Sequence, residues 1–150
     1  FTFDGYTYCF VASKCSEGVE KPAYSGGVAV TNLERTLVDC IKDMDKISGV
    51  EEVIENIKSV QRIKEKRLLR YLELYQNQFL YQKTGYLLWQ VKEKMGLSDL
   101  FFEKCNEQIG KSKRYLTSDQ MSGQYDATWK LIVPKSFEKL KNGEMIDAEL

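Results

Sequence analysis

The sequence predicts an α+β domain: a small, mostly antiparallel sheet of N- and C-terminal strands, packed with a central group of four to five helices. Three observations predict it. The first dozen residues are rich in aromatics and β-formers, the middle repeats apolar residues every three or four positions, and the tail returns to an extended pattern. With 150 residues, the chain is expected to form one domain, 1–150, with a single core.

At the N-terminus, Phe1, Thr2, Phe3, Tyr6, Thr7, Tyr8, Phe10 and Val11 favour extended chain, and Asp4-Gly5 is a two-residue hairpin signal. Ser13 to Ser25, with Gly18 and Pro22, reads as a loop. Gly26-Gly27 then leads into a strand over Val28 to Val30. Thr31 and Glu34 have capping-box spacing and predict a helix start, with Leu33, Leu37, Val38 and Ile41 as its buried stripe. Arg35 and Asp39 stand four apart on one face, a spacing that serves the helix itself. The pair is expected to tie the first helix to its neighbours.

A second capping box, Ser48-Gly49-Val50-Glu51, opens a helix carrying Val53, Ile54, Ile57 and Val60. Ile63 to Tyr75 is a third helix facing inward through Leu68, Leu69, Leu72 and Tyr75, and Gln76-Asn77 breaks it. Phe79 to Met95 is a fourth, stopped by Gly96. Gly85 inside it costs about 1 kcal/mol against alanine, which predicts a close crossing or a kink. Ser98 caps a fifth helix to Ile109, with Leu100, Phe101, Cys105 and Ile109 as its stripe. Arg114 to Thr117 and Thr128 to Val133 are the C-terminal strands, separated by a turn region from Ser118 to Asp126. Ser136 to Leu140 is expected to form one helical turn and 142–150 a frayed tail.

Composition excludes several function classes. Lysine plus arginine equals aspartate plus glutamate, 22 each, so the whole domain offers nucleic acid no net attraction, though a local patch can still steer it. Histidine is absent, which removes histidine triads, imidazole acid–base catalysis and imidazole-bound zinc. The four cysteines, Cys9, Cys15, Cys40 and Cys105, form no Cys-x-x-Cys pair. Free thiols are expected, although a hairpin could bring Cys9 and Cys15 together. No apolar run approaches the roughly 18 residues of a membrane span. Phe1 to Phe10 lacks the basic lead and smooth apolar core of a signal peptide, so a cytoplasmic protein without membrane contact is expected. No cofactor or metal site is expected.

Few constellations carry chemistry. Gly110-Lys111-Ser112 resembles the end of a phosphate-binding loop, but Cys105 stands where a glycine is required and a helix precedes it. Glu65-Lys66, Glu93-Lys94, Glu103-Lys104 and Glu138-Lys139 lie in helical stretches and read as solvated faces. Two basic groups are candidate nucleic-acid contacts: Arg62, Lys66, Arg67 and Arg70 across one helix junction, with Lys58 and Lys64 nearby, and Lys111, Lys113 and Arg114 beside Tyr115.

The run Val30-Thr31-Asn32-Leu33-Glu34-Arg35-Thr36-Leu37-Val38-Asp39 resembles the V-T-x-x-E-R-T-L-x-D signature of AbiE-type abortive-infection antitoxins, transcriptional regulators of viral defence systems. Leu68-Leu69-Arg70-Tyr71 through Gln82-Lys83-Thr84-Gly85-Tyr86-Leu87-Leu88 is similar to that family's leucine-rich helix and its R/K-x-G-Y-L-L passage. Arg114-Tyr115-Leu116 followed by Trp129-Lys130-Leu131-Ile132-Val133-Pro134 is similar to its C-terminal close. The blocks run in order from about residue 28 to 134.

The resemblance implies a bacterial, type IV toxin–antitoxin protein in two parts. An N-terminal winged helix-turn-helix binds operator DNA, and a C-terminal domain acts as antitoxin against a nucleotidyltransferase-like toxin without a stable complex. This chain is similar to the C-terminal domain alone, so with Phe1 at its start it is expected to be a fragment or a processed product, and no DNA-reading residue of the winged helix carries over. The motif residues Thr31, Glu34, Arg35, Thr36, Asp39, Gly85, Tyr86 and Trp129 are expected to be architectural. The leading expectation is a non-enzymatic regulatory domain. The alternative is a nuclease-like enzyme, which needs carboxylates such as Asp39, Asp119 and Asp126 to converge with a lysine.

Overall fold

A computed structural model of the chain describes residues 1–13, 15–47, 49–118 and 123–137. The α+β class holds: six α-helices and three small sheets lie among the described residues. The N- and C-terminal strands do not share a sheet, however. Each pairs locally.

Strands β1 (Thr2–Phe3) and β2 (Tyr6–Thr7) form the expected hairpin. Asp4 (φ 49°) and Gly5 (φ 77°) both take positive φ, the requirement of a type I′ turn, which aspartate tolerates and glycine accepts freely. The region expected to be loop contains β3 (Val19–Glu20) and a 3₁₀ turn, η1 (Ala23–Ser25). β3 pairs antiparallel with β4, which covers Val30–Thr31 rather than Val28 to Val30. Two-residue strands have too little length for alternation, so their partners decide them.

Helix α1 (Leu33–Lys42) begins one residue later than the capping box requires. Asn32 is its N-cap, and the Asn32 side chain accepts from the Arg35 N–H at 2.9 Å. Thr31 belongs to β4, and Glu34 turns into the protein instead of back to the cap. The shift also moves the stripe: Leu37, Val38 and Ile41 are buried, while Leu33 is exposed.

Helix α2 (Val50–Ser59) has Gly49 at its N-cap with no side-chain cap, so the serine-capped start is not the one formed; Ser48 lies outside the described residues. Helix α3 (Glu65–Tyr75) ends at Gln76, in the left-handed region, and Asn77 at once caps α4 (Gln78–Trp89). The predicted fourth helix is two, because the chain breaks at Gln90 and Val91 before α5 (Lys92–Met95). Gly96 closes α5 as expected, in a left-handed conformation.

Ser98 caps α6 (Asp99–Glu107), and its own N–H and hydroxyl donate to Glu65 at 2.8 and 2.7 Å. In α6, Phe101, Phe102 and Cys105 are buried, whereas Leu100 faces out.

The third sheet runs in the order β5 (Arg114–Tyr115), β7 (Leu131–Pro134), β6 (Gly123–Asp126), with β5 parallel and β6 antiparallel to the central β7. β6 occupies the stretch expected to be a turn, and Thr128 to Lys130 turn where a strand was expected. The expectations for Ser136 to Leu140 and for 142–150 fall wholly or largely outside the described residues.

Helix α4 is the centre of the fold. Every residue from Leu80 to Leu88 is buried, including Gln82, Lys83 and Thr84. Helices α1 and α6 pack against it, α3 packs on α1, and Leu116, Trp129, Leu131 and Val133 of the C-terminal segment belong to the same core. A helix buried all round has no polar face, so amphipathic periodicity fades in it. The Gln82 side-chain amide donates to the carbonyls of Ser112, Trp129 and Lys130 at 3.1–3.4 Å, stitching the sheet onto the helix. None of the described helices is long and apolar enough to cross a membrane.

Candidate functional site

The motif on α1 builds a polar hub. Arg35 is 1% exposed, yet its guanidinium is satisfied on every side. Nε donates to both Asp39 oxygens at 3.0 Å. Nη1 donates to the Glu17 carbonyl at 2.6 Å. Nη2 donates to Ser13 Oγ at 2.6 Å, to the Cys15 carbonyl at 3.1 Å and to Tyr75 Oη at 2.6 Å.

Tyr75 Oη in turn donates to Asp39 at 2.5 Å. Burial pushes the Tyr75 hydroxyl above its ordinary pKa, and the adjacent Asp39 carboxylate adds to the rise. Burial opposes the Arg35 charge, but Asp39 and Tyr75 together outweigh it and hold the guanidinium above its usual value. The hub therefore clamps Ser13, Cys15, Glu17 and α3 onto α1. It extends the intrahelical pair expected from sequence to partners 22 and 40 residues away.

The neighbouring motif residues are engaged in the same way. Glu34 is buried and accepts from the Lys64 N–H at 2.9 Å, with Arg67 at 3.7 Å. Thr36 Oγ1 donates to the Asn32 carbonyl at 2.8 Å and lies 2.6 Å from Thr31 Oγ1. Asn32, which sequence reasoning passed over, both caps α1 and donates to Tyr71 Oη at 2.7 Å. Its signal was the asparagine directly before the helical stripe.

Gly85 makes the close approach expected of it, though with a side chain and not a helix. A Cβ at Gly85 would fall on ring atoms Cζ3, Cη2 and Cε3 of Trp129, none farther than 2.5 Å. Tyr86 is buried on the same helix.

Lys83 sits beside this packing, 4% exposed, and donates to the Lys42 carbonyl at 3.0 Å over the Phe79 ring. Burial lowers its pKa from 10.5 to about 8, against the pull of Asp45 and Asp43. Below pH 8 the amine is charged in both folded and unfolded chains, and the folded state bears the full cost of burying it. Between pH 8 and 10.5 the unfolded chain binds the extra proton, so stability rises with pH. Thermal melts from pH 7.5 to 10.5 should show this as a gain of wild type over Lys83→Met of about 3 kcal/mol by the size of the shift, because the buried Cys105 thiol lowers the stability of both proteins alike above pH 9. Parallel pH profiles in the two proteins would contradict the assignment. Burial likewise pushes the Cys105 thiol up to about 12. All four cysteines are free.

The two basic groups separate. In the first, Arg70 forms a bidentate pair with Glu17 at 2.8–3.0 Å and a second pair with Glu73, and Arg67 reaches Glu34. The Glu17 carboxyl is held below its usual range by Arg70. Arg62 and Lys66 are exposed. Arg67 and Arg70 of the first group are thus engaged by carboxylates, while Arg62 and Lys66 are in no salt bridge among the described residues.

The second group is different. Lys111, Lys113 and Arg114 are all exposed, and none is in a salt bridge among the described residues. Lys113 Nζ lies 4.8 Å over the Tyr125 ring, Arg114 lies 5.6 Å over Phe79, and Lys130 donates to the Gly110 carbonyl at 2.9 Å. Cations without carboxylate partners remain available to phosphate.

Of the carboxylates named for a nuclease, Asp39 and Asp126 line separate clefts. Asp39 lines a cleft with Thr31, Thr36, Asp43, Lys42 and Tyr75, in which Lys42 is paired with Asp43 at 2.6 Å. Asp126 accepts from the Trp129 N–H at 2.9 Å and lines a separate groove with Asp99, Glu103 and Trp89, where Lys92 pairs with Asp99. Asp119 lies outside the described residues. No group of three metal-binding side chains occurs among the described residues. Comparison with protein-family models, with curated proteins and with solved structures finds no match to this chain.

Proposed function

We propose that this domain is a non-enzymatic regulatory domain of a bacterial phage-defence toxin–antitoxin system, acting in the cytoplasm and touching nucleic acid through Lys111, Lys113 and Arg114. The observation that carries the reading is the contrast between two sets of charged residues. Arg35, Asp39 and Glu34 of the motif are engaged inside the domain. The cations beside β5 have no ion-pair partner among the described residues. The ordered sequence blocks supply the antitoxin part of the reading, with a nucleotidyltransferase-like protein as the toxin and operator DNA read by a winged helix outside this chain.

Co-expression with the nucleotidyltransferase-like protein encoded beside it is the test. Growth arrested by that protein should be restored when this one is present in soluble, folded form. Arrest that persists under those conditions overturns the reading.

A further inference from the structure

The third sheet carries more than a cluster of charge. Tyr115 of β5 and Tyr125 of β6 both pair with Ile132 of the central β7, one from each side. Residues directly opposite across a ladder point to the same face. Leu131 and Val133, the neighbours of Ile132, are buried against the helices, so Tyr115, Ile132 and Tyr125 form a row on the outward face. Both tyrosines are exposed, at 39% and 43%.

The cations border this row. Lys113 lies over the Tyr125 ring, and Lys111 is exposed two residues before it. Asp126, the carboxylate next to Tyr125, pairs with Leu131 on the inward side and is occupied by the Trp129 N–H.

Two rings flanking an aliphatic residue, beside unpaired lysines, match what unpaired bases require: flat π-surfaces for stacking and cations for the backbone. A duplex keeps its bases stacked on one another and offers only phosphates to such a surface. We infer that the outward face of the β5–β7–β6 sheet binds single-stranded nucleic acid, with Tyr115 and Tyr125 stacking on bases and Lys111 and Lys113 contacting phosphates. This rests on the proposed nucleic-acid contact and narrows its ligand class.

The test is fluorescence anisotropy with a fluorescein-labelled RNA 12-mer of mixed sequence, its DNA counterpart and the corresponding duplexes, titrated with the whole chain. At equal salt the single strands should bind about tenfold tighter than the duplexes. Tyr115→Ala and Tyr125→Ala should each weaken single-strand binding about tenfold, the scale of one lost base stack, and should leave the salt dependence unchanged. Tyr115→Phe and Tyr125→Phe should retain binding, since the ring and not the hydroxyl is used. Lys111→Ser with Lys113→Ser should flatten the salt dependence instead. Equal affinity for duplex and single strand, or alanine variants that bind normally, would overturn the inference and leave the broader nucleic-acid reading standing. No binding to any of the four probes would overturn both.

Discussion

Replacing Gly85 with alanine is expected to destabilise the domain by about 3 kcal/mol, although alanine is the better helix former. In an isolated helix the change would gain about 1 kcal/mol. Here the added methyl would fall on the Trp129 ring, which must move to admit it. Trp129 is buried, packs edge-on to Phe102 at 6.4 Å, and its carbonyl is held by Gln82 from the same helix. A shift of the ring would therefore strain the sheet–helix seam as a whole.

A fall in Tm of roughly 10 °C follows for a chain of this length. Gly85→Ala made together with Trp129→Leu should cost clearly less than the sum of the two changes, because the smaller side chain vacates the collision. A melt at or above wild type for Gly85→Ala alone would show that the ring is not the constraint.

The second large effect is expected at Arg35. Arg35→Met keeps the length of the side chain but removes the guanidinium. The Glu17 and Cys15 carbonyls, Ser13 Oγ and Tyr75 Oη then lose a donor, and Asp39 loses its cation. The loss should be about 2 kcal/mol, less than for a fully buried pair, because the Asp39 side chain is 31% exposed and water can reach Ser13 and Glu17.

Arg35→Lys should recover little. An ammonium cannot reproduce a planar fork that reaches two helices and a loop at once. Urea denaturation checks both variants, with a matched loss of midpoint expected. A variant that unfolds at the wild-type midpoint yet fails to restore growth would contradict the architectural role and move Arg35 into the working site.

These two residues illustrate what sequence reading reached. Gly85 was flagged because a glycine inside a helix costs free energy and needs a reason; the reason, Trp129, lies 44 residues away on another element. Arg35 and Asp39 were paired correctly by their four-residue spacing. The loop carbonyls and Tyr75 that complete the hub are invisible to any local window.

The helix starts show the same limit at shorter range. Thr31-x-x-Glu34 and Asn32-x-x-Arg35 are both plausible caps, and the choice fell to Asn32 because Thr31 pairs with Val19 and Glu34 is drawn to the Lys64 N–H. β3 was missed for want of length, and β6, as long as β7, because Gly123, Gln124 and Asp126 are poor strand formers and read as a turn. The single long helix after Asn77 gave no sign of its break at Gln90–Val91.

Both basic groups were legible as composition, but their inequality was not. Arg70 is neutralised by Glu17, 53 residues distant, which only the fold brings near. The row of Tyr115, Ile132 and Tyr125 likewise needs the parallel and antiparallel pairings of β7 before it exists.

In the proposed function, the motif on α1 builds the domain while the cations beside β5 do its work. The most direct measurement is growth rescue, against the co-expressed nucleotidyltransferase-like protein, by a variant carrying Lys111→Ser, Lys113→Ser and Arg114→Gln. All three side chains are exposed and outside the described ion pairs, so its Tm should stay close to wild type while rescue is lost. Full rescue by this variant, at wild-type expression and wild-type Tm, would contradict the claim.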